Sequence, residues 1–345
     1  EMKNWDKAVN EYKKAEMLAR NSNEISMPDR SWYLSETKFK QGIALVQSYR
    51  STEAIPALMG FLAESKGDNR YDEALFWLAE AYYRTDLLKN AIESYQKVIK
   101  DYAASPRREE SIYGLGWAYF RLKEFSNSSK IFDQLISEFP KTKYAVEVLT
   151  RQADGYYINK NFSKAAESYR KAAKLSPGTE DGQYASYQLA HALYRQGSYE
   201  QSVTSLLDFV RQYGKSQFAP NALYLIGWIR FQQKKYTEAI DNFNFMINAY
   251  PQSTEVPRAY YAIGDGYYNI NNYEQAIKYY KIVIESYPAS AFAPEAIKSV
   301  QYALMALGRE DEAIQIANQY VETNPDSPFA PEFQKKIGEM FYQGR

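Results

Sequence analysis

The sequence predicts an all-α solenoid of antiparallel helix hairpins, on three observations. A small residue returns at Ala54, Ala91, Ser128, Ala165, Ser202, Ala239, Ala276 and Ala313, and every step is 37 residues. Within each interval the apolar residues fall on two helical faces separated by a short polar turn, and successive intervals meet at proline-containing junctions. A fixed period of this size marks a helical repeat array, in which each hairpin buries its apolar face against its neighbours.

Residues 258–290, RAYYAIGDGYYNINNYEQAIKYYKIVIESYPAS, show the unit most plainly. Tyr260, Ile263, Gly264 and Tyr267 share one face of a first helix, termed helix A. An Asn-rich turn follows, and Ala276, Tyr280, Val283 and Ile284 mark helix B. One helix A position holds Gly42, Ala79, Gly116, Ala153, Ala190, Gly227 and Gly264. Glycine inside a helix costs about 1 kcal/mol relative to alanine, so its recurrence requires a close approach. The Ala/Ser series of helix B is the expected counterface.

The junctions Phe139-Pro-Lys-Thr142, Tyr250-Pro-Gln-Ser253, Tyr287-Pro-Ala-Ser290 and Asn324-Pro-Asp-Ser327 end one helix with proline and offer a Ser or Thr to cap the next. A second proline, at Pro220, Pro257, Pro294 and Pro331, suits the first turn of helix A.

In chain order, residues 1–34 read as a helix B followed by an insertion. Trp5 stands where Phe125, Phe162, Tyr199, Tyr236 and Tyr273 stand in later units, and no helix A precedes it. Ala8 to Ala54 is 46 residues, and the polar segment 21–30, with Pro28, is expected to carry the excess as a loop. Residues 35–330 hold eight complete repeats. Residues 331–345 start a further helix A through Ile337, Gly338 and Phe341, with Gln343-Gly344 resembling the turn at Gln196-Gly197. Both ends read as cut, so the chain is expected to be an excerpt of a longer array.

These residues resemble the tetratricopeptide repeat (TPR) family, whose repeat places a bulky apolar residue, a Leu-Gly/Ala pair and a Tyr in helix A, then small, aromatic and small residues in helix B and a closing Pro. Here the pattern falls on Tyr260, Ile263, Gly264, Tyr267, Ala276, Tyr280, Val283 and Pro288. Val283 is larger than the family's usual Ala, and three further residues extend the period to 37. The resemblance implies a right-handed superhelix whose A helices line a concave surface. A narrower resemblance rests on Tyr/Phe-Pro-x-Ser/Thr followed by Ala-Pro-x-Ala, as in Phe292-Ala-Pro-Glu-Ala296 and Phe218-Ala-Pro-Asn-Ala222. It is similar to bacterial cell-envelope TPR proteins, namely the lipoprotein of outer-membrane β-barrel assembly and the periplasmic partner of Tol–Pal. That likeness implies a non-enzymatic adaptor in the periplasm or on the periplasmic face of the outer membrane; the alternative location is a cytoplasmic scaffold.

Composition limits the chemistry. The 42 Lys and Arg balance 42 Asp and Glu, which argues against a broadly basic nucleic-acid surface. No run of 18 apolar residues is present, so no transmembrane segment is expected. There are no cysteines and one histidine, His191, which removes disulfides, thiolate metal sites and multi-imidazole metal sites. No phosphate-binding loop, HExxH, GxSxG or calcium loop occurs. No catalytic residue, cofactor or metal is therefore expected. His191 reads as a packed or groove-facing side chain, and Asp154-Gly-Tyr-Tyr157 and Asp265-Gly-Tyr-Tyr268 share one register, which argues for a structural origin.

By the family's register, one concave position holds Tyr83, Phe120, Tyr157, Tyr194, Phe231 and Tyr268. The next residue is Arg84, Arg121 or Arg195 in three repeats, and a position three residues before the ring holds Glu80, Trp117, Asp154, His191, Trp228 and Asp265. Two readings compete. The rings pack between neighbouring helices, or they form a groove for protein or peptide partners, with Arg engaging carboxylates. The carboxylate clamp for chaperone tails is not expected, because its Lys and Asn positions hold aromatics, Asp or His. Recognition of a cell-wall glycan is the alternative of a different class.

Overall fold

The computed structural model describes residues 2–22, 24–327 and 329–343, and among these it contains eighteen α-helices and no strand. In order they are α1 (Met2–Asn21), α2 (Met27–Gln47), α3 (Ser51–Glu64), α4 (Tyr71–Arg84), α5 (Leu88–Asp101), α6 (Arg108–Arg121), α7 (Phe125–Glu138), α8 (Ala145–Ile158), α9 (Phe162–Leu175) and α10 (Glu180–Arg195). They continue as α11 (Tyr199–Gln212), α12 (Ala219–Gln232), α13 (Tyr236–Ala249), α14 (Val256–Asn269), α15 (Tyr273–Ser286), α16 (Ala293–Ala306), α17 (Glu310–Thr323) and α18 (Ala330–Gln343). The fold class is the expected α-solenoid of helix hairpins, with helix A even-numbered and helix B odd-numbered. The chain divides into two compact units, one ending at Ala185 and one starting at Ser186.

Every A-to-B turn is built the same way. Tyr49, Asp86, Lys123, Lys160, Gly197, Lys234, Asn271 and Gly308 all have positive φ and stand 37 residues apart. Each follows the end of helix A, and the next residue's N–H bonds a carbonyl five residues back, as in Glu124 to Tyr119 at 3.0 Å and Asn272 to Tyr267 at 2.9 Å. This double closure satisfies the last carbonyls of the helix and reverses the chain in three residues. Only two of the eight are glycine, so the left-handed turn left little trace in composition.

The small-residue series of helix B is fully buried from Ala54 to Ala313. Its counterpart differs from the sequence expectation. A Cβ placed at Gly116, Gly227 or Gly264 would come within 3.0 Å of the ring of Phe132, Phe243 or Tyr280, and one at Gly42 would meet Leu58. Helix A is thus notched for the bulky residue four positions after the Ala/Ser. The Ala/Ser column contributes where it carries a hydroxyl: Ser128 donates to the Gly116 carbonyl at 2.9 Å and Ser202 to the Ala190 carbonyl at 2.7 Å. In the eighth hairpin the notch is filled by buried Gln301, opposite Ala317 in place of a bulky residue.

Two further expectations are corrected. The excess residues are carried by longer helices: within 21–30, residues 22 and 24–26 are non-helical while α1 reaches Asn21 and α2 begins at Met27, running for 21 residues against 14 for its counterpart α4. Pro28 sits in its first turn, where a missing N–H costs nothing, and the Ser26 side chain accepts from the Asp29 N–H. At most junctions the Ser or Thr does not cap the α-helix itself; at α10 it does, Thr179 accepting from the Gly182 N–H at 3.1 Å. Thr142, Ser216, Ser253 and Ser290 each accept from the N–H two residues on, and close a tight turn that leads into helix A. Pro220, Pro257 and Pro294 do occupy the first turn. Of the Gln343-Gly344 turn, Gly344 lies outside the described residues.

Candidate functional site

The ring column lies at the C-terminal end of the A helices, and each ring is half-buried. In the first unit Phe120 meets Phe125 edge-on at 5.2 Å and Tyr157 meets Phe162 at 5.3 Å. In the second unit Tyr194 meets Tyr199 at 5.9 Å, Phe231 meets Tyr236 at 5.1 Å and Tyr268 meets Tyr273 at 5.1 Å. Each contact joins the end of helix A to the first residue of helix B across the left-handed turn. The rings therefore brace their hairpins while part of each stays accessible. Trp117 lies edge-on to Phe120, and Trp228 is parallel to Phe231, both at 5.6 Å. Trp228 also donates to the Tyr194 hydroxyl at 3.1 Å.

The arginines link successive A helices. Arg84 donates to the Val46 carbonyl at 2.8 Å and Arg121 to the Tyr83 carbonyl at 2.9 Å, each at the last turn of the preceding helix A. A guanidinium there bonds exposed carbonyls and complements the negative end of the helix dipole. Arg84 also lies over the Tyr49 ring and Arg121 over the Tyr83 ring. Together with Ser51, Thr52 and Thr85 these residues border an open recess of about 610 Å³. Arg195 stands at the same register on an exposed position of α10.

The acidic members of the third column follow a rule. Glu80, Asp154 and Asp265 accept the hydroxyls of Tyr95, Tyr169 and Tyr280, the last two at 2.6 Å. All three tyrosines are buried on helix B of the same hairpin. Where that position of helix B is Leu58, Phe132, Leu206, Phe243 or Ala317, the helix A residue is Ile43, Trp117, His191, Trp228 or Tyr302. An acid is present only where a phenol needs an acceptor. Column-by-column reading missed this coupling; reading residue pairs 15 apart would have found it.

Two of the three acids have a cation beside them: Arg84 is 3.7 Å from Glu80 and Arg151 is 2.7 Å from Asp154. Asp265 has Ala262 and Asn269 at those spacings. Desolvation pushes its carboxyl up to about 6, against the opposing pull of the Tyr280 hydrogen bond. Burial lowers the His191 imidazole to about 4, so it is neutral near pH 7, and it packs edge-on against Tyr187 at 4.5 Å. Among the described residues no three Asp, Glu or His side chains converge as metal ligands, and no helix is long and apolar enough to cross a membrane.

Residues 187–254 match one family model described as tetratricopeptide repeat, and 73–105, 110–142 and 258–290 match a second with the same description. The chain is a tetratricopeptide repeat protein. Its fold is similar to the C-terminal part of a TPR repeat-containing protein from Cytophaga hutchinsonii, at 16% identity and a TM-score of 0.55 over 75% of this chain and 98% of that one. It is also similar to the apo form of RapI, at 14% identity and a TM-score of 0.52 over 99% of this chain and 96% of that one. Both likenesses concern the fold alone. No match was found among curated proteins.

Proposed function

We propose that this chain is a non-enzymatic adaptor that holds partner proteins or peptides along the A-helix face, within a bacterial cell-envelope complex. Tetratricopeptide repeats are in general protein-interaction scaffolds, which sets the class. The observation that carries the finer reading is the column of half-buried rings already braced by helix B. Rings held in place before binding offer large contact area with little further ordering cost. Tyr83, Trp117, Phe120, Asp154 and Tyr157, flanked by Arg84 and Arg121, are the proposed contacts in the first unit. Tyr194, Trp228, Phe231, Asp265 and Tyr268, flanked by Arg195, are those in the second. The envelope location is supported by the long repeat with its Pro-x-Ser/Thr junctions, and the lack of cysteine is compatible with an oxidising compartment.

The test is affinity purification of the tagged protein from its native cell after separation of periplasmic, membrane and cytoplasmic fractions. A variant carrying Trp117→Ala, Phe120→Ala, Trp228→Ala and Phe231→Ala, checked for unchanged helical circular dichroism, is compared with the parent. The expected result is a set of envelope proteins bound by the parent and lost from the variant. Partners retained by the folded variant would move recognition off the ring column, and recovery in the cytoplasm would overturn the location.

A further inference from the structure

In the first unit, a recess of about 210 Å³ opens above the Tyr95–Glu80 pair, lined by Glu80, Tyr83, Tyr95, Tyr113, Gly114 and Trp117. Gly114 makes room for it. A Cβ at this position would come within 3.0 Å of the Tyr95 ring and hydroxyl, whereas the same register elsewhere holds Lys40, Trp77, Arg151, Gln188, Leu225, Ala262 and Ser299. Over the Tyr280–Asp265 pair of the second unit the corresponding residues are Lys298, Ser299 and Tyr302, and the Ser299 hydroxyl bonds Tyr261 at 3.2 Å. The glycine that opens the recess, between α4, α5 and α6, is therefore particular to this place in the array and not a product of the repeat.

Its walls are fixed. Tyr113 stacks on Tyr144 at 4.0 Å and donates its hydroxyl to Glu147 at 2.9 Å. Trp117 meets Tyr113 edge-on at 6.4 Å and is backed by Phe120 and Phe132. One oxygen of Glu80 takes the Tyr95 hydroxyl, and the other is 3.7 Å from Arg84. Nearby cations already have anionic or carbonyl partners: Arg84 with the Val46 carbonyl, Arg121 with the Tyr83 carbonyl and Asp86, Arg151 with Asp154. Arg121 and Arg151 also lie over the Tyr83 and Trp117 rings, at 4.8 and 5.8 Å, so these walls already accept cations. Rings with negative faces set around a carboxylate are complementary to an ammonium or guanidinium group.

We propose that this recess is a cation subsite that receives a lysine or arginine side chain of the partner. The assignment rests on the reading of the A-helix face as a peptide-binding surface. The rings strip water from the flat or rounded cation, its aliphatic stem lies along Tyr83, and Glu80 supplies the opposite charge.

The experiment records the indole N–H signals of the ¹⁵N-labelled chain, with Trp117 assigned by Trp117→Phe, during titration with the blocked peptide Ac-Gly-Lys-Gly-NH2. The control peptide carries norleucine, which keeps the stem and lacks the charge. A saturable shift of the Trp117 signal is expected with lysine, at least about fivefold weaker binding with norleucine, and a similar loss in Glu80→Gln. Glu80→Gln retains a carbonyl acceptor for Tyr95; should it lose helicity, Tyr83→Leu serves as the second variant, with the same loss expected. An unmoved Trp117 signal, equal response to norleucine, or indifference to both variants would overturn the subsite. Its failure while the ring variant still loses its partners would leave the peptide surface standing without a cation site. Lysine binding with partners retained would do the reverse.

Discussion

A Cβ at Gly116 would sit within 3.0 Å of the Phe132 ring, and that ring has no exposed surface into which it could yield. Gly116→Ala therefore sets two effects against each other. The helix gains about 1 kcal/mol from the better backbone residue, while overpacking a filled core costs about 1–3 kcal/mol. The clash wins, and the melting temperature should fall. At Gly338, in the same register of α18, a Cβ would meet nothing within 4 Å, so Gly338→Ala should keep the helical gain and raise it. Thermal melts of the two variants give opposite signs if the notch is filled by the ring; equal shifts would show that the register is immaterial. The recurrence of small residues was legible in the sequence because it is a column. What faced it was not, since a ring four residues beyond the Ala/Ser column can be placed only when both helices are set against each other. The acid–tyrosine coupling was legible in principle, yet it runs across columns and not along them.

Within a hairpin, the acid–tyrosine pairs join helix A to helix B, and the third differs from the others by lacking a cation. With its folded pKa raised from 3.8 to about 6, Asp265 contributes stability that is full below pH 3.8 and is lost as pH rises through 6. Above that, α14 carries a desolvated charge, at a cost on the order of 1–3 kcal/mol. Asp265→Asn keeps an acceptor for Tyr280 and removes the charge. The variant's melting temperature minus that of the parent should therefore grow between pH 4 and pH 7.5; a constant difference would mean that Asp265 titrates as in the unfolded chain. At this scale the helix spacing was readable from apolar periodicity, but the start of α2 was not. Pro28 signals a break in a loop and a favourable first turn in a helix, and only the Ser26 cap distinguishes the two.

At the scale of the molecule, A-to-B turns of one kind, a helix length of 14 residues from α11 to α18 and a shared notch make one repeat exchangeable for another. Removing residues 219–255 from the second unit would join Phe218 to Val256 and present α14 where α12 had been, since one period is 37 residues. Buried Ala222, Tyr224, Ile226 and Gly227 are replaced by the same residue types, Ala259, Tyr261, Ile263 and Gly264, so half of the buried face is reproduced. The mismatches are Tyr260 in place of Leu223, an overpacking worth about 1–3 kcal/mol, and Gly266 and Ala262 in place of buried Ile229 and Leu225, which remove packing at about 2–5 kcal/mol per large side chain lost. The shortened chain should stay folded and melt cooperatively at a somewhat lower temperature, because stability in such arrays is a sum of repeat and nearest-neighbour terms. Removing three residues more, 219–258, rotates the incoming face by about 300°, about 60° short of a full turn, and breaks the following column. That deletion should leave the downstream helices open to limited proteolysis. If both deletions were equally sensitive, the period would reflect repetition of sequence without interchangeable packing, and the hairpins of this unit would depend on their particular neighbours.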